Sequence, residues 1–143
     1  MKKLIYLFVM AMLLGGCATP ESLSRITAPN RENLIKLSVG MEKAKVIEIM
    51  GNKSFDVTVP QYVGVFGSRR NTRVTITNPY RSEILQGKDK VLEVIYYVTD
   101  VKKEAIAISD DELTPLVFDN GKLIGWGNSF LQNNIQKYEI RVR

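Results

Sequence analysis

The sequence contains no histidine and a single cysteine among its 143 residues. Without histidine, the chain has no Ser-His-Asp or Cys-His catalytic arrangement and no histidine ligand for zinc or haem. One cysteine excludes an intrachain disulfide, an iron–sulfur cluster and a zinc site built from several cysteines. A serine nucleophile would need a lysine base, and no Ser-x-x-Lys motif occurs in the domain. We therefore predict a protein that is not an enzyme and that holds no metal.

The remaining composition is typical of a small folded domain. Hydrophobic residues make up 45% of the chain and charged residues 24%, which favours a packed core over disorder. A length of 143 residues suits one domain. The net charge of +5 does not by itself identify a partner.

The N-terminal segment has the pattern of a signal peptide. Lys2 and Lys3 precede an unbroken apolar run over residues 4–14. As a helix, that run would reach only about 16 Å, whereas the hydrocarbon core of a bilayer measures about 30 Å. We predict that residues 1–16 are a secretory signal peptide and are absent from the mature protein.

The sequence Leu14-Gly15-Gly16-Cys17 resembles the lipobox of bacterial lipoproteins. The resemblance implies diacylglycerol transfer to the sulfur of Cys17, cleavage before it, and an acyl chain on the new amine. No other cofactor is predicted. Ala18 stands where lipoproteins retained at the inner membrane typically have Asp, so we expect a lipid-anchored protein of the outer membrane with its domain facing the periplasm. That compartment excludes nucleic acid as a partner. An ordinary signal peptide followed by a chance cysteine is the alternative.

After the cysteine, the sequence predicts a tether and then one domain. Residues 17–30 are rich in Ser, Thr and Pro and are predicted to be flexible, and residues 31–143 form the domain. The predicted helices cover 31–37 and 41–50, and the predicted strands cover 55–59, 73–77, 91–99, 114–118, 122–126 and 138–143. Residues 130–136 are predicted to be a loop or one helical turn. This order predicts an α+β fold with two N-terminal helices packed on one face of a small antiparallel sheet.

Several short motifs resemble the SmpA/OmlA superfamily of small outer-membrane lipoproteins, which includes BamE. They are Leu37-Ser-Val-Gly-Met41 followed by Val46 and Met50-Gly51, the strand Val94-Ile-Tyr-Tyr97, and the hairpin sequence of residues 116–124. The resemblance covers residues 14–51 and 91–126, with an insertion around 54–90. The sequences of residues 110–118 and 125–127 resemble an uncharacterised Gram-negative lipoprotein family within that superfamily, rather than BamE itself.

The resemblance implies an accessory or scaffold protein of outer-membrane assembly or maintenance, anchored to the membrane and bound to an envelope protein. An alternative is an inhibitor-like or ligand-sequestering periplasmic module. Similar arrangements of two helices and an antiparallel sheet occur in β-lactamase-inhibitor proteins, although this is an analogy of fold alone.

The segment 57–82 is the candidate binding loop, since no acidic residue occurs between Asp56 and Glu83 and the segment carries a local charge of +4. Arginine beside aromatic side chains suits phosphate or carboxylate recognition and interface contacts. Candidate ligands are anionic lipid headgroups, peptidoglycan carboxylates or an acidic protein face, and a solvated basic loop is the alternative. The candidate binding residues are Tyr62, Phe66, Arg69, Arg70, Arg73, Tyr80 and Arg81.

Two further groups have structural interpretations beside functional ones. Asp110, Asp111 and Glu112 are consecutive and cannot all converge on one ion, whereas Ser109 and Glu112 have the spacing of a capping box. Tyr96, Tyr97 and Trp126 either line a groove or pack within the sheet, and we favour packing.

Overall fold

The computed structural model describes residues 23–63, 67–102 and 108–140. Within them lie three α-helices, one short 3₁₀ helix and six strands. In chain order they are α1 (Ser24–Leu34), α2 (Lys43–Met50), β1 (Ser54–Val63), β2 (Ser68–Thr77), β3 (Arg81–Gln86), β4 (Val91–Val98), the 3₁₀ helix (Asp110–Glu112), β5 (Leu113–Asp119), β6 (Lys122–Trp126) and α3 (Asn128–Lys137). The predicted α+β class is confirmed.

The strands form two antiparallel sheets. Strands β3, β4, β5 and β6 form a four-stranded sheet in that order, while β1 and β2 pair only with each other as a long hairpin. The turn between β5 and β6 is an Asn-Gly turn, with φ of 49° at Asn120 and 76° at Gly121. Those positive angles are the ones that a two-residue type I′ turn requires.

Strand β4 divides the core into two layers because its side chains alternate between the two faces of the sheet. Leu92, Val94, Tyr96 and Val98 belong to one buried cluster, and Ile95 and Tyr97 belong to the other. We call the first the hairpin face and the second the α2 face. Both faces are covered.

Different elements cover the two faces. On the α2 face, Val46 and Met50 of α2 pack over the sheet. On the hairpin face, the cover comes from the β1–β2 hairpin, from α3 and from the first turn of α1. The predicted placement of both N-terminal helices on a single face is therefore wrong in detail. Ile26 of α1, together with Leu23 just before the helix, packs in one layer, and Leu34 of α1 packs in the other.

The predicted tether is wrong over residues 24–30, which are the first part of α1. Ile26, Thr27 and Asn30 are buried. The Asn30 side chain donates hydrogen bonds to the Val98 carbonyl oxygen at 2.8 Å and to Asn78 Oδ1 at 2.9 Å. Polar side chains that are buried in this way leave no apolar periodicity in the sequence, so the segment looked like a linker. Residues 17–22 lie outside the described residues.

Three other predicted elements are corrected. Residues 130–136 belong to the ten-residue helix α3 rather than to a loop or a single turn. Residues 138–140 form a turn and not a strand, with φ of 49° at Glu139, and Ile140 packs into the core. Strand β1 continues through Pro60 to Val63, because a proline can occupy a strand that has a free edge.

The four-stranded sheet has two unlike edges. Along β6, residues 40–43 add backbone hydrogen bonds, including Gly40 N–H to the Leu123 carbonyl at 2.7 Å and Leu123 N–H to the Met41 carbonyl at 2.8 Å. Along β3, which the sequence did not predict as a strand, no further strand pairs among residues 23–63, 67–102 and 108–140. Ile84 of β3 is exposed, as is Val91 at the start of the neighbouring strand β4.

Candidate functional site

The β1–β2 hairpin, which contains most of the predicted binding loop, is the candidate functional site. Its ten paired positions run from Ser54 opposite Thr77 to Val63 opposite Ser68. One side of the half nearest the sheet is apolar and packs on the hairpin face through Val57, Val59 and Ile76. The far half continues beyond that core, and the described residues of β2 from 68 to 71 are all exposed.

Three arginines lie along β2, and all three are exposed. Because side chains alternate along a strand, Arg70 lies on the same side as Ile76, whereas Arg69 and Arg73 lie on the opposite side. Within the part of the chain that the structure describes, these three side chains have no hydrogen-bond or ion-pair partner. We call the β1–β2 hairpin with Arg69, Arg70 and Arg73 the basic hairpin.

The neighbours of these arginines are neutral. Asp56 lies near the base of the hairpin, where its Oδ1 accepts a hydrogen bond from Thr75 Oγ1 at 2.7 Å. Gln61 Oε1 accepts a hydrogen bond from Thr72 Oγ1 at 3.2 Å on the other side of the ribbon. These cross-strand bonds hold the two strands in register, and they leave the guanidinium groups available for an external anion.

The structure separates Arg81 from the other three arginines. Its Nη1 donates to Asp110 Oδ1 at 2.8 Å, and its guanidinium carbon lies 4.2 Å from the centre of the Tyr96 ring. Its Nε lies 3.1 Å from Glu83 Oε1, an ion-pair contact without the alignment of a hydrogen bond. Burial lowers the pKa of Arg81, but hydrogen bonds to Asp110 and Tyr96 and the charges of Glu83 and Asp110 raise it above its usual value overall. Arg81 therefore fastens the 3₁₀ helix to the sheet.

The aromatic members of the predicted loop are also divided. Tyr80 is half-buried against the core, and its N–H donates to the Tyr96 carbonyl at 2.8 Å. Tyr62 lies in β1 opposite Arg69 in the backbone register. Phe66 lies outside the described residues. Of the seven predicted residues, the structure groups Arg69, Arg70 and Arg73 on β2 and gives Tyr80 and Arg81 other contacts, whereas the roles of Tyr62 and Phe66 stay predictions.

The tyrosines of β4 are packing residues, as predicted. Tyr97 is fully buried, and its hydroxyl donates to the Gly51 carbonyl at 3.2 Å. Burial raises the pKa of Tyr97 to about 12. Burial and the nearby Glu83 carboxylate also raise the pKa of Tyr96, whose hydroxyl donates to Glu83 Oε2 at 3.0 Å. Trp126 packs against the core on the α2 face.

The acidic run at residues 110–112 forms the capping box that the sequence predicted. The Glu112 carboxylate is buried and accepts hydrogen bonds from Ser109 N–H at 2.8 Å and from Lys102 N–H at 2.6 Å. In the described ranges, no group of three or more Cys, Asp or Glu side chains is placed to hold a metal ion.

Sequence reasoning missed an open cleft of about 670 Å³ between the end of α1, the end of β4 and the start of α3. Arg31 closes one wall, where Nε donates to the Thr99 carbonyl and Nη2 donates to Asp100 Oδ1 at 2.7 Å. Its lining charges are already paired, since Lys102 binds Asp111 on the rim. No sequence signal predicts this cleft, because its residues come from four separate segments.

Cys17, the predicted lipidation site, lies outside the described residues. Of the helices in the described part of the chain, none has the length and apolar character needed to span a bilayer.

Comparison with known proteins assigns the chain to a family. The family described as "Protein of unknown function (DUF3192)" matches residues 18–133, which include the basic hairpin and the four-stranded sheet. No curated protein and no solved structure matches the chain. Because the family match covers far more than half of the 143 residues, the chain belongs to the DUF3192 family.

Proposed function

We propose that this protein is a non-catalytic, lipid-anchored binding module of the bacterial envelope. In this proposal Cys17 carries the lipid, the anchor lies in the outer membrane, and the domain faces the periplasm as an accessory or scaffold in envelope assembly or maintenance. The lipobox-like sequence supports the anchor. Membership of the SmpA/OmlA superfamily is part of the proposal and is supported by the order of short sequence motifs.

The basic hairpin is the single observation that carries the proposed binding activity. Elsewhere on the domain, several exposed cations have acidic partners, as in Arg31 with Asp100 and Lys45 with Glu48. On β2, three neighbouring guanidinium groups have no acidic partner within the described residues. Arginine presents a planar fork of donors that matches carboxylate and phosphate oxygens, so a row of such groups forms a ready surface for an anionic partner.

Photo-crosslinking in cells tests the binding activity. A photoreactive amino acid in place of Ser68, which is exposed at the far end of β2, should form an adduct with an envelope component. Replacing Arg69, Arg70 and Arg73 together by Ser should abolish that adduct. A matched control replaces Lys36, Lys45 and Lys122 by Ser, which removes the same charge from exposed sites away from the hairpin and should leave the adduct intact.

The anchor is tested in the same strain. Cys17→Ser should leave the unprocessed precursor and abolish palmitate labelling, whereas a mature soluble form of that variant would refute the anchor. An adduct that survives the triple arginine substitution would refute the binding role of the hairpin.

A further inference from the structure

We propose that the basic hairpin contacts the anionic phospholipid headgroups of the leaflet that holds the acyl chains of Cys17. This inference rests on the lipid anchor of the proposed function and names the partner of the hairpin. Four observations support it: the length of the chain before α1, the face on which the hairpin packs, the charge of its far half, and the two-sided placement of its arginines.

The chain between the anchor and the folded domain is short. The domain begins at Leu23, which is 5% exposed in the core, so only six residue steps separate it from Cys17. Six fully extended residues span at most about 22 Å. The predicted tether ending at Asn30 would have allowed about 40 Å, so the corrected start of α1 halves the maximum length of chain between Cys17 and the domain.

Leu23 and the hairpin lie on the same face of the four-stranded sheet. Leu23 and Ile26 share the buried cluster of the hairpin face with Val57, Val59 and Ile76. Ten paired residues at about 3.3 Å each give the hairpin a length of about 30 Å. A ribbon of that length, starting on the side from which the anchored chain leaves, can reach the headgroup layer.

The far half of the hairpin has charges of one sign. In residues 57–63 and 67–77, Arg69, Arg70 and Arg73 are the charged side chains, and there is no acidic residue among them. Each basic residue near an anionic leaflet raises local occupancy about fivefold, so three of them suffice to hold a domain that is already tethered.

The arginines point to both sides of the ribbon, which favours a headgroup layer over a flat acidic protein face. A flat face would meet either the side with Arg70 or the side with Arg69 and Arg73. A layer of lipid phosphates surrounds the end of a ribbon and can accept donors from both sides at once.

A fluorescent label on the hairpin tests the contact in the full mature lipoprotein. Because Cys17 is the single cysteine and is acylated in the proposed form, Asn71→Cys supplies the one free thiol, between Arg69 and Arg73 on the exposed side. The protein is reconstituted in phosphatidylcholine vesicles with or without phosphatidylglycerol. We expect acrylamide quenching of the label to fall about threefold on the anionic vesicles, and to recover in about 1 M salt, where the Debye length is about 3 Å.

Two control variants show whether the fall in quenching depends on the three arginines. Replacing Arg69, Arg70 and Arg73 by Ser in the labelled protein should make quenching equal on both kinds of vesicle. Replacing Lys36, Lys45 and Lys122 by Ser instead should leave the fall in quenching on anionic vesicles unchanged. A label at Lys45→Cys on the exposed side of α2 should remain accessible throughout.

Several results would overturn the headgroup contact. One is equal quenching of the Asn71→Cys label on both kinds of vesicle. The others are reduced quenching on anionic vesicles that persists in high salt, or that persists after the triple arginine replacement. Protection on neutral vesicles that appears only after addition of envelope proteins would assign the hairpin to an acidic protein, which overturns this inference and leaves the proposed function in place. Failure of palmitate labelling refutes the proposed function instead.

Discussion

The ionisation of the buried Tyr97 phenol affects the stability of the whole fold. Its ring is fully buried on the α2 face, and its hydroxyl donates to the carbonyl of Gly51, the residue that ends α2 with φ of 86°. Burial raises its pKa to about 12, compared with about 10 in an unfolded chain. The neutral phenol is therefore the form that the native state holds.

The raised pKa predicts a loss of stability at alkaline pH. Below pH 10 the phenol is protonated in both states, and between pH 10 and about 12 it ionises in the unfolded chain first, so the free energy of unfolding falls as pH rises. The full loss amounts to about 3 kcal/mol. Urea denaturation from pH 8 to 12 should give a shallower decline for Tyr97→Phe than for the wild type.

Tyr138→Phe is the matched control for this measurement, because Tyr138 is only half-buried and also carries one phenol. Lysines titrate in the same range, but they are common to all three proteins. Equal slopes for the wild type and Tyr97→Phe would contradict the assignment. At pH 8, loss of the hydrogen bond to Gly51 should itself cost about 1 kcal/mol.

At the scale of elements, α3 depends on a glycine in the strand it follows. The ring of Phe130 lies over Gly125 of β6 so closely that a Cβ at Gly125 would stand 2.5 Å from it. A side chain at this position would push α3 away from the sheet, together with the buried Leu131.

Gly125→Ala should therefore destabilise the domain by about 2 kcal/mol, in the range expected for overpacking. Thermal or urea unfolding measures this cost. Phe130→Leu removes the clashing ring, so the double variant should lose less than the sum of the two single losses. Simple additivity would show that α3 does not pack against Gly125 as described.

The elements that the sequence predicted are those with local signals. Strand β4 has a strong alternation, the β5–β6 turn has Asn120-Gly121, and α2 has an apolar stripe that ends at Gly51. The elements that were missed depend on distant partners. Helix α1 buries Thr27 and Asn30, α3 relies on Gly125, and β3 has a polar sequence that is held in place by β4.

The candidate site followed the same rule. The excess of positive charge between Asp56 and Glu83 could be read from the chain and led to the hairpin. The sequence did not show that Arg81 would lie beside Asp110 and over the Tyr96 ring, since those partners are 29 and 15 residues away. Which cations lack an acidic partner depends on ion pairs between residues that are distant in the sequence. Counting charges along a segment cannot detect such pairs.

At the scale of the whole molecule, α1 connects the two core layers. Leu23 and Ile26 pack on the hairpin face, Leu34 packs on the α2 face, and Asn30 lies between them. Asn30 and Asn78 exchange two hydrogen bonds of 2.9 Å, and Asn78 also donates to the Met50 carbonyl at 3.2 Å. Helix α1 is thus a structural part of the domain.

Two truncations separate a tether from a structural helix. In a chain that begins at residue 18, removing residues 18–22 should leave the melting temperature nearly unchanged. Removing residues 18–30 takes away Leu23, Ile26 and Asn30, which should cost more than about 4 kcal/mol and abolish cooperative unfolding by circular dichroism. Similar melting curves for the two truncated proteins would show that residues 24–30 are dispensable.

The unlike edges of the four-stranded sheet limit how copies of this protein can aggregate through it. Fibre growth by strand addition needs two free edges on each copy, one to receive a neighbour and one to offer to the next. Here residues 40–43 occupy the β6 side, and β3 is the free side within the described residues. Two copies joined along β3 would leave on the outside only the β6 edges, whose start is already bonded to residues 40–43, so such an association should end at a pair. That asymmetry protects the sheet from open-ended polymerisation when copies of the protein are concentrated.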